Sequence, residues 1–391
     1  MKYNFDAQID RSGTHSVKYD LRKAYFGRED LIPMWVADMD FAVPPFVLEA
    51  VRKRAEHPIY GYSMVPGSYI DALIAWENRR HHRDLEKDWI SFSPGIVTGL
   101  NIIVQSLTEP GDEIVVQPPV YFPFFSSVEK NSRKLLYNQL LEKDGRYTID
   151  FDDLETKMKG GARMLILCNP HNPVGRCWTK EELAWIGAKS IEYGVLVVSD
   201  EIHCDLVFEP SRHIPFANLS KETADLTITC IAPSKTFNLA GLFTSSVIIS
   251  NDALRSKYKA YEERLHLNPN IFGITAATAA YSEGEAWLSE LMDYLSANAR
   301  LVQEFLGSSI PEITSCPLES TYLMWLDFRK WDIPPDELKK LLIGRAGLGF
   351  VDGREFGPGG KGFQRMNIAS PSSLILQALE RLFSLRKSLG Y

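Results

Sequence analysis

Lys235 lies in APSKTFNLAG (232–241), one cation among small and apolar residues, directly after the β-rich run LTITCI (226–231). An ammonium group pushed toward a protein interior is costly unless it is paired or chemically used. A lysine in a constrained, partly desolvated site becomes a neutral amine, able to act as nucleophile or proton acceptor. Other apolar runs also end in reactive side chains: MLILC leads to Asn169 and Asn172, VLVV to Asp200, and TITCI to Ser234 beside Lys235. Singly, Asn, Asp and Ser are ordinary turn and cap residues. Together they describe one pocket holding an amine, a carboxylate and amide donors.

The elements that carry these residues follow from the pattern around them. DEIVVQPP (112–119), KLLYNQL (134–140), RMLILCNP (163–170), GVLVVSDE (194–201), LTITCIAPS (226–234) and SSVIIS (245–250) have strand character. EELAWIGAKSIEY (181–193) has helical spacing and follows Thr179 and Glu182 in capping-box positions. SPGIVTGLNIIVQSL (93–107) is a glycine turn entering a helix, and the C-terminal stretch from 370 is another helix, with Ser370 as expected N-cap and Pro371 in the first turn. Strands alternating with helices imply an α/β fold with a mostly parallel sheet covered by helices. In such sheets ligands bind beyond the carboxyl ends of the strands, where these polar residues fall.

The chain has 391 residues, 45% hydrophobic and 24% charged, with 26 Gly and 22 Pro. This is a globular composition, long enough for two domains. A net charge of −7 and the absence of any long Lys/Arg run argue against nucleic acid as a partner; RKR at 52–54 is read as a solvated helix face. No stretch reaches the roughly 18 apolar residues of a membrane span, and the first residues carry no apolar leader, so the expected compartment is the cytoplasm. Five cysteines (Cys168, Cys177, Cys204, Cys230, Cys316) lack CxxC spacing and are expected as buried thiols, which leaves the sequon at Asn218 without meaning. No His/Cys/Asp cluster has metal-ligand spacing. GPGGKG (357–362) matches GxGxxG formally, but it precedes the strand-like FQRMNIA instead of opening a helix, so it is taken as a flexible loop near Arg365.

NPHNPVG (169–175), SDEIH (199–203) and SKTFNLAG (234–241), in that order and about 30 residues apart, resemble the signatures of pyridoxal-phosphate enzymes with the aspartate aminotransferase fold. WVADMDF (35–41), YGYS (60–63), STYLMWLD (320–327) and RMNIASP (365–371) are similar, more narrowly, to the cystathionine β-lyase-like carbon–sulfur lyases within that fold. The resemblance spans nearly the whole chain. It implies a large cofactor-binding domain at 51–284 and a small domain from 1–50 plus 285–391. The implied cofactor is pyridoxal 5'-phosphate, bound covalently through its aldehyde to Lys235. Once substrate displaces it, the freed amine is placed to take the Cα proton. Asp200 is implied as the carboxylate that keeps the ring nitrogen protonated, because a buried anion favours that charged form. Asn172 is the implied donor to the phenolic oxygen, Tyr121 the aromatic stacked on the ring, and Gly95 and Ile96 the backbone donors to the phosphate at a helix start. Ser234 joins that set, and Tyr62 is implied to reach the phosphate from a neighbouring subunit. The active sites of a homodimer are then shared across its interface.

Arg365, in FQRMNIA, resembles the arginine that pairs bidentately with the α-carboxylate of an amino-acid substrate, with the Ala37 backbone near the same group. His203 is either a proton carrier or a packing residue beside Asp200, the latter being the expectation. Two positions depart from the aminotransferase pattern: Ala232 stands where a phosphate-binding serine is common, and Phe243 where an arginine is. Ser234, Thr236 or water are the candidate replacements. No second arginine suits a distal carboxylate, which disfavours a dedicated aspartate or glutamate transaminase. The implied reaction is α,β-elimination from cystathionine or another S-substituted L-cysteine to a thiol, pyruvate and ammonia. The alternatives are an aminotransferase using a 2-oxo acid, and a pyridoxal-phosphate-binding regulatory protein acting through a protein partner.

Overall fold

A computed structural model describes residues 2–390. Its main sheet is built from β1 (Ile90–Ser93), β2 (Glu113–Val116), β3 (Lys134–Tyr137), β4 (Met164–Cys168), β5 (Leu196–Asp200), β6 (Thr227–Ile231) and β7 (Ser245–Ile248). The order across the sheet is β1-β7-β6-β5-β4-β2-β3. β3, β2, β4, β5 and β6 pair in parallel, whereas β7 is antiparallel to both β6 and β1. The six strands expected from sequence are all present, each shorter than its expected stretch by a few terminal residues.

The inner strands β2, β4 and β5 are buried on both faces, which explains why they are near-continuous apolar runs rather than alternating ones, whereas β3 at the edge is only partly buried. Along β4, Leu165 and Leu167 join one core cluster while Met164, Ile166 and Cys168 join another. Val197 and Val198 of β5 divide in the same way. The period of two therefore survives in which core each residue enters, not in polarity. Helix α1 (Ile96–Leu107) covers the second face with Leu100, Ile103 and Val104. Helix α2 (Lys180–Tyr193) starts with the expected capping box between Thr179 and Glu182 and supplies Leu183 and Ile186 to the first face.

The long helix α3 (Glu285–Ser309) precedes a four-stranded antiparallel sheet of β8 (Thr314–Ser315), β9 (Leu323–Asp327), β10 (Val351–Asp352) and β11 (Phe363–Asn367), ordered β8-β9-β11-β10. Helix α4 (Ser372–Ser388) closes the chain. Ser370 does not cap it. Pro371 holds the N-cap position without a side-chain cap bond, and the Ser370 hydroxyl instead donates to Asp40 Oδ2 at 2.6 Å. The loop 357–362 is not loose either: its turn runs so close to the preceding one that a Cβ at Gly360 would meet Gly353 O at 1.9 Å. Only glycine fits there, and the packing anchors the start of β11, which carries Arg365. Among the described residues, no helix is long and apolar enough to cross a membrane.

Candidate active site

One cavity of about 570 Å³ opens beyond the carboxyl ends of β4, β5 and β6. The strand tips deliver Asn172, Asp200, Ser234 and Lys235 into its wall, and β11 brings Arg365 from the other sheet. Tyr121, Gly95, Ile96 and Ala37 line it too. Of the residues expected at the site, Asn169, Thr236 and Tyr62 are absent from this wall. Asn169 is buried beside it with Nδ2 donating to Ile214 O at 3.0 Å, and Tyr62 is 103% exposed, so within its own chain it belongs to the surface.

Lys235 sits in a single helical turn, Pro233–Thr236, whose N-terminus begins right after β6. Its Nζ donates to Ala37 O at 2.7 Å, and Tyr322 Oη donates to the same carbonyl at 2.9 Å. Burial pulls the amine down to about 8, with Asp38 and Asp200 opposing that shift and Arg365 reinforcing it. From behind, Thr236 Oγ1 donates to Asp205 Oδ2 at 3.0 Å. That bond withdraws Thr236 from the phosphate candidates: its hydroxyl points away from the cavity and is fully buried.

Asp200 is 2% exposed and accepts one hydrogen bond, from Ile202 N–H at 3.2 Å. It has no ion pair among the described residues. Burial pushes its carboxyl up to about 7. A buried carboxylate with one donor and no cation is incomplete, and it suits a ligand that brings a protonated nitrogen. Arg365, 4% exposed, donates from Nη1 to Asn172 Oδ1 and from Nη2 to Trp35 O, both at 3.0 Å, while Nε has no partner. Its guanidinium lies 4.9 Å from the centre of the Phe356 ring, and burial draws it down to about 10. Tyr121 is set beside these groups by its N–H bond to Asn172 O at 3.1 Å.

The helix start departs from expectation in one respect. Gly95 takes φ +107°, a conformation costly for any residue with a Cβ, and its N–H is already donated to Ser245 Oγ at 3.1 Å. Gly95 therefore shapes the turn, and its N–H is engaged by Ser245 while the residue lines the cavity. The N–H groups of Ile96, Val97 and Thr98 have no partner among the described residues and remain as the anion-binding end of α1. Phe243, in the place of the common arginine, lines the cavity with its ring 62% exposed, and Ala232 is buried.

From its motif, His203 is expected only to pack beside Asp200. Its ring lines the cavity, Nδ1 is buried without a partner, and burial together with Lys235 and Arg365 pulls it down to about 3, so the imidazole is neutral. Trp35, Tyr25, Phe122, Thr98, Thr244 and Glu355 also belong to the wall. Trp35 and Thr98 stand in the stretches 35–41 and 93–107 without being singled out there, whereas Tyr25, Phe122, Thr244 and Glu355 carry no chemical signature and only the folded chain brings them in. Behind the site, Glu77, His81 and Cys204 place one potential ligand atom each within 4.8 Å of one another, which sequence spacing did not disclose. The positive charge there is already supplied by Arg83, whose Nη1 lies 3.2 Å from Glu77 Oε2.

Taken as a donor set, the cavity fits pyridoxal phosphate: an amine of lowered basicity, an uncompensated carboxylate, unpaired backbone N–H groups at a helix start and an aromatic wall. Independent comparisons agree with the geometry. Residues 29–382 match the family described as aminotransferase class I and II. Cystathionine beta-lyase PatB of Bacillus subtilis (strain 168) is 45% identical over 381 residues, covering 97% of this chain and 98% of its own. The crystal structure of cystalysin from Treponema denticola, which contains pyridoxal 5'-phosphate, superposes with a TM-score of 0.96 at 37% identity, covering 100% of both chains. A pyridoxal-phosphate-bound C–S lyase from Staphylococcus hominis gives 0.91 at 35% identity over 98% of each chain.

Proposed function

The chain belongs to the aminotransferase class I and II family, and on that footing we propose that it is a pyridoxal-phosphate-dependent carbon–sulfur β-lyase. Its substrate is cystathionine or another S-substituted L-cysteine. The observation that carries this reading is the end-to-end likeness to a bacterial cystathionine β-lyase, joined to a cavity in which Lys235, Asp200 and Arg365 meet.

Lys235, Asp200, Asn172, Tyr121, Ser234 and the first N–H groups of α1 would hold the cofactor. When bound, it supplies an electron sink for the pair released at Cα. Arg365 would take the substrate α-carboxylate; its unpartnered Nε and two fixed Nη groups leave a charged donor ready for an anion. The Lys235 amine, lowered by burial, would accept the Cα proton at Nζ and is steered by the Ala37 carbonyl. The neutral His203 ring avoids adding a third positive charge beside Lys235 and Arg365. In net terms the Cα–H and Cβ–S bonds break, the sulfur departs with its electron pair and gains a proton, and water completes the products as thiol, pyruvate and ammonia.

The proposed assembly is a homodimer. Ile59, Tyr60, Tyr62 and Met64 form an exposed apolar run, the kind of surface a second copy covers, and such a copy would present its Tyr62 to the phosphate end. Five buried cysteines, free among the described residues, support the cytoplasm as its compartment.

The test is incubation of the purified holoenzyme with L-cystathionine and no 2-oxo acid. Sustained pyruvate formation is expected. Strict dependence on added 2-oxoglutarate or pyruvate, followed as amino-acid product, would replace the lyase by an aminotransferase.

A further inference from the structure

Four charged side chains line the cavity: Asp200, Lys235, Arg365 and Glu355. The first three have roles in the reading above, and Glu355 has none. It sits in the turn Gly353–Phe356 that follows β10 and is half-buried. It makes no ion pair among the described residues. Its one hydrogen bond comes from Tyr25 Oη, which donates to Oε1 at 2.5 Å. A carboxylate has about four acceptor positions, so most of this one's capacity is open.

No nearby cation pairs with it: Arg354 pairs with Asp352 and Asp336, and Arg365, whose charge reaches Glu355 without an ion pair, is bonded to Asn172 and Trp35 and is the group reserved above for the substrate α-carboxylate. Lys339 Nζ lies 5.8 Å from the Tyr25 ring centre but does not line the cavity. The side chain that does reach Glu355 is the aromatic Tyr25. The Tyr25 ring stacks on Trp35 at 4.4 Å between centroids, and Phe122 lines the same cavity. Exposure rises from 2% and 4% at Asp200 and Arg365 to 39% and 41% at Tyr25 and Phe122. The cavity is therefore open on the Tyr25 side, as it is at Phe243, and the Tyr25 opening is the one beside Arg365, where the variable part of a substrate emerges.

We propose that Glu355 and Tyr25 form a specificity subsite for a positively charged group on the sulfur substituent, so that ammonium-bearing thioethers are preferred over carboxylate-bearing ones. The physical basis is a half-buried anion that makes no ion pair among the described residues, bonded to the Tyr25 of a stacked Tyr25–Trp35 pair in the same wall. The same anion repels a carboxylate at that place. This inference rests on the lyase reading for its substrate class.

The experiment compares S-(2-aminoethyl)-L-cysteine, S-propyl-L-cysteine and S-(2-carboxyethyl)-L-cysteine, which are similar in length and differ in terminal charge. Pyruvate release gives kcat/KM for each with the wild-type holoenzyme, E355Q, E355K and Y25F. Dissociation constants are read in parallel from quenching of tryptophan fluorescence, since Trp35 lies in the wall. Wild type is expected to favour the aminoethyl over the carboxyethyl compound by about tenfold or more. E355Q brings that ratio close to one, E355K inverts it, and Y25F narrows it. Equal values for all three compounds in wild type, or a ratio that E355Q and E355K leave in place, overturn the proposal while the lyase stands. Absence of turnover for all three, with the order of dissociation constants retained and lost in E355Q, keeps the subsite and overturns the lyase.

Discussion

Asp200 and Glu201 are adjacent, equally inaccessible and oppositely provided for. Asp200 faces the cavity with one backbone donor, and burial pushes it up to about 7. Glu201 points the other way, and there it is saturated: it is bonded to Arg83, accepts Ser199 Oγ at 2.8 Å and Phe216 N–H at 3.1 Å, and meets His213 Nε2 at 2.9 Å. Burial would raise it, yet Arg83 and His213 hold it down to about 2. Four residues on, Asp205 is served by Trp76, Arg80, His81 and Thr236. The two carboxylates behind the site are thus satisfied without a ligand, although Arg83 Nε and His213 Nδ1 beside them have no partner, and the carboxylate in the cavity wall is not. Incompleteness in a buried group is informative because it is expensive: Asp200, the Nε of Arg365 and the Nδ1 of His203 mark where a ligand must supply what the chain withholds.

This contrast separates loss of activity from loss of stability. The largest effect is expected for K235A, with pyruvate formation from L-cystathionine falling by at least about 1,000-fold while the urea midpoint stays near wild type. Retained turnover would remove Lys235 from the chemistry. Next comes E201Q, which leaves Arg83 buried against a neutral amide; about 3–5 kcal/mol of unfolding free energy should be lost, measured by urea denaturation. D200N is the counterpart. It should cost activity by about 100-fold or more with unfolding free energy unchanged or raised, and a large destabilisation would mean that Asp200 is structural like its neighbour.

The two carboxylates also give opposite pH signatures. In the cofactor-free protein, Asp200 in the folded state keeps a proton that the unfolded chain has lost between about 4 and 7. Its contribution to stability is full below the ordinary carboxylate value of 3.8 and is lost as pH rises toward 7. Glu201 is depressed, so its contribution is present above 4.5 and is lost as pH falls toward 2. Unfolding free energy measured against pH for wild type and D200N should diverge across pH 4–7, and parallel curves would contradict the assignment. The smallest effect is expected for T236V, which removes one of several donors to Asp205 and should cost about 1 kcal/mol in the same urea assay, with kcat reduced by the looser hold on Lys235.

Much of the frame was legible before folding. The central strands are short and buried on both faces, so continuous apolar runs identified them, and polar residues at their ends pointed to the pocket. Thr179 and Glu182 were legible because a capping box is local. What escaped notice depends on partners far along the chain. Ser370 has the right type for an N-cap, but Asp40, 330 residues away, takes its hydroxyl. Gly95 looked like a free donor until Ser245 was brought beside it, and Thr236 like a phosphate ligand until Asp205 was. Tyr25 and Glu355 carry no signature at all; a separation of 330 residues hides the pair completely.

The most direct measurement is to reduce the holoenzyme with borohydride, digest it and map the pyridoxyl group by mass spectrometry. The expected result is a single modified peptide with the label on Lys235. A label on another lysine, or a protein that binds no pyridoxal phosphate, would contradict the account of this cavity.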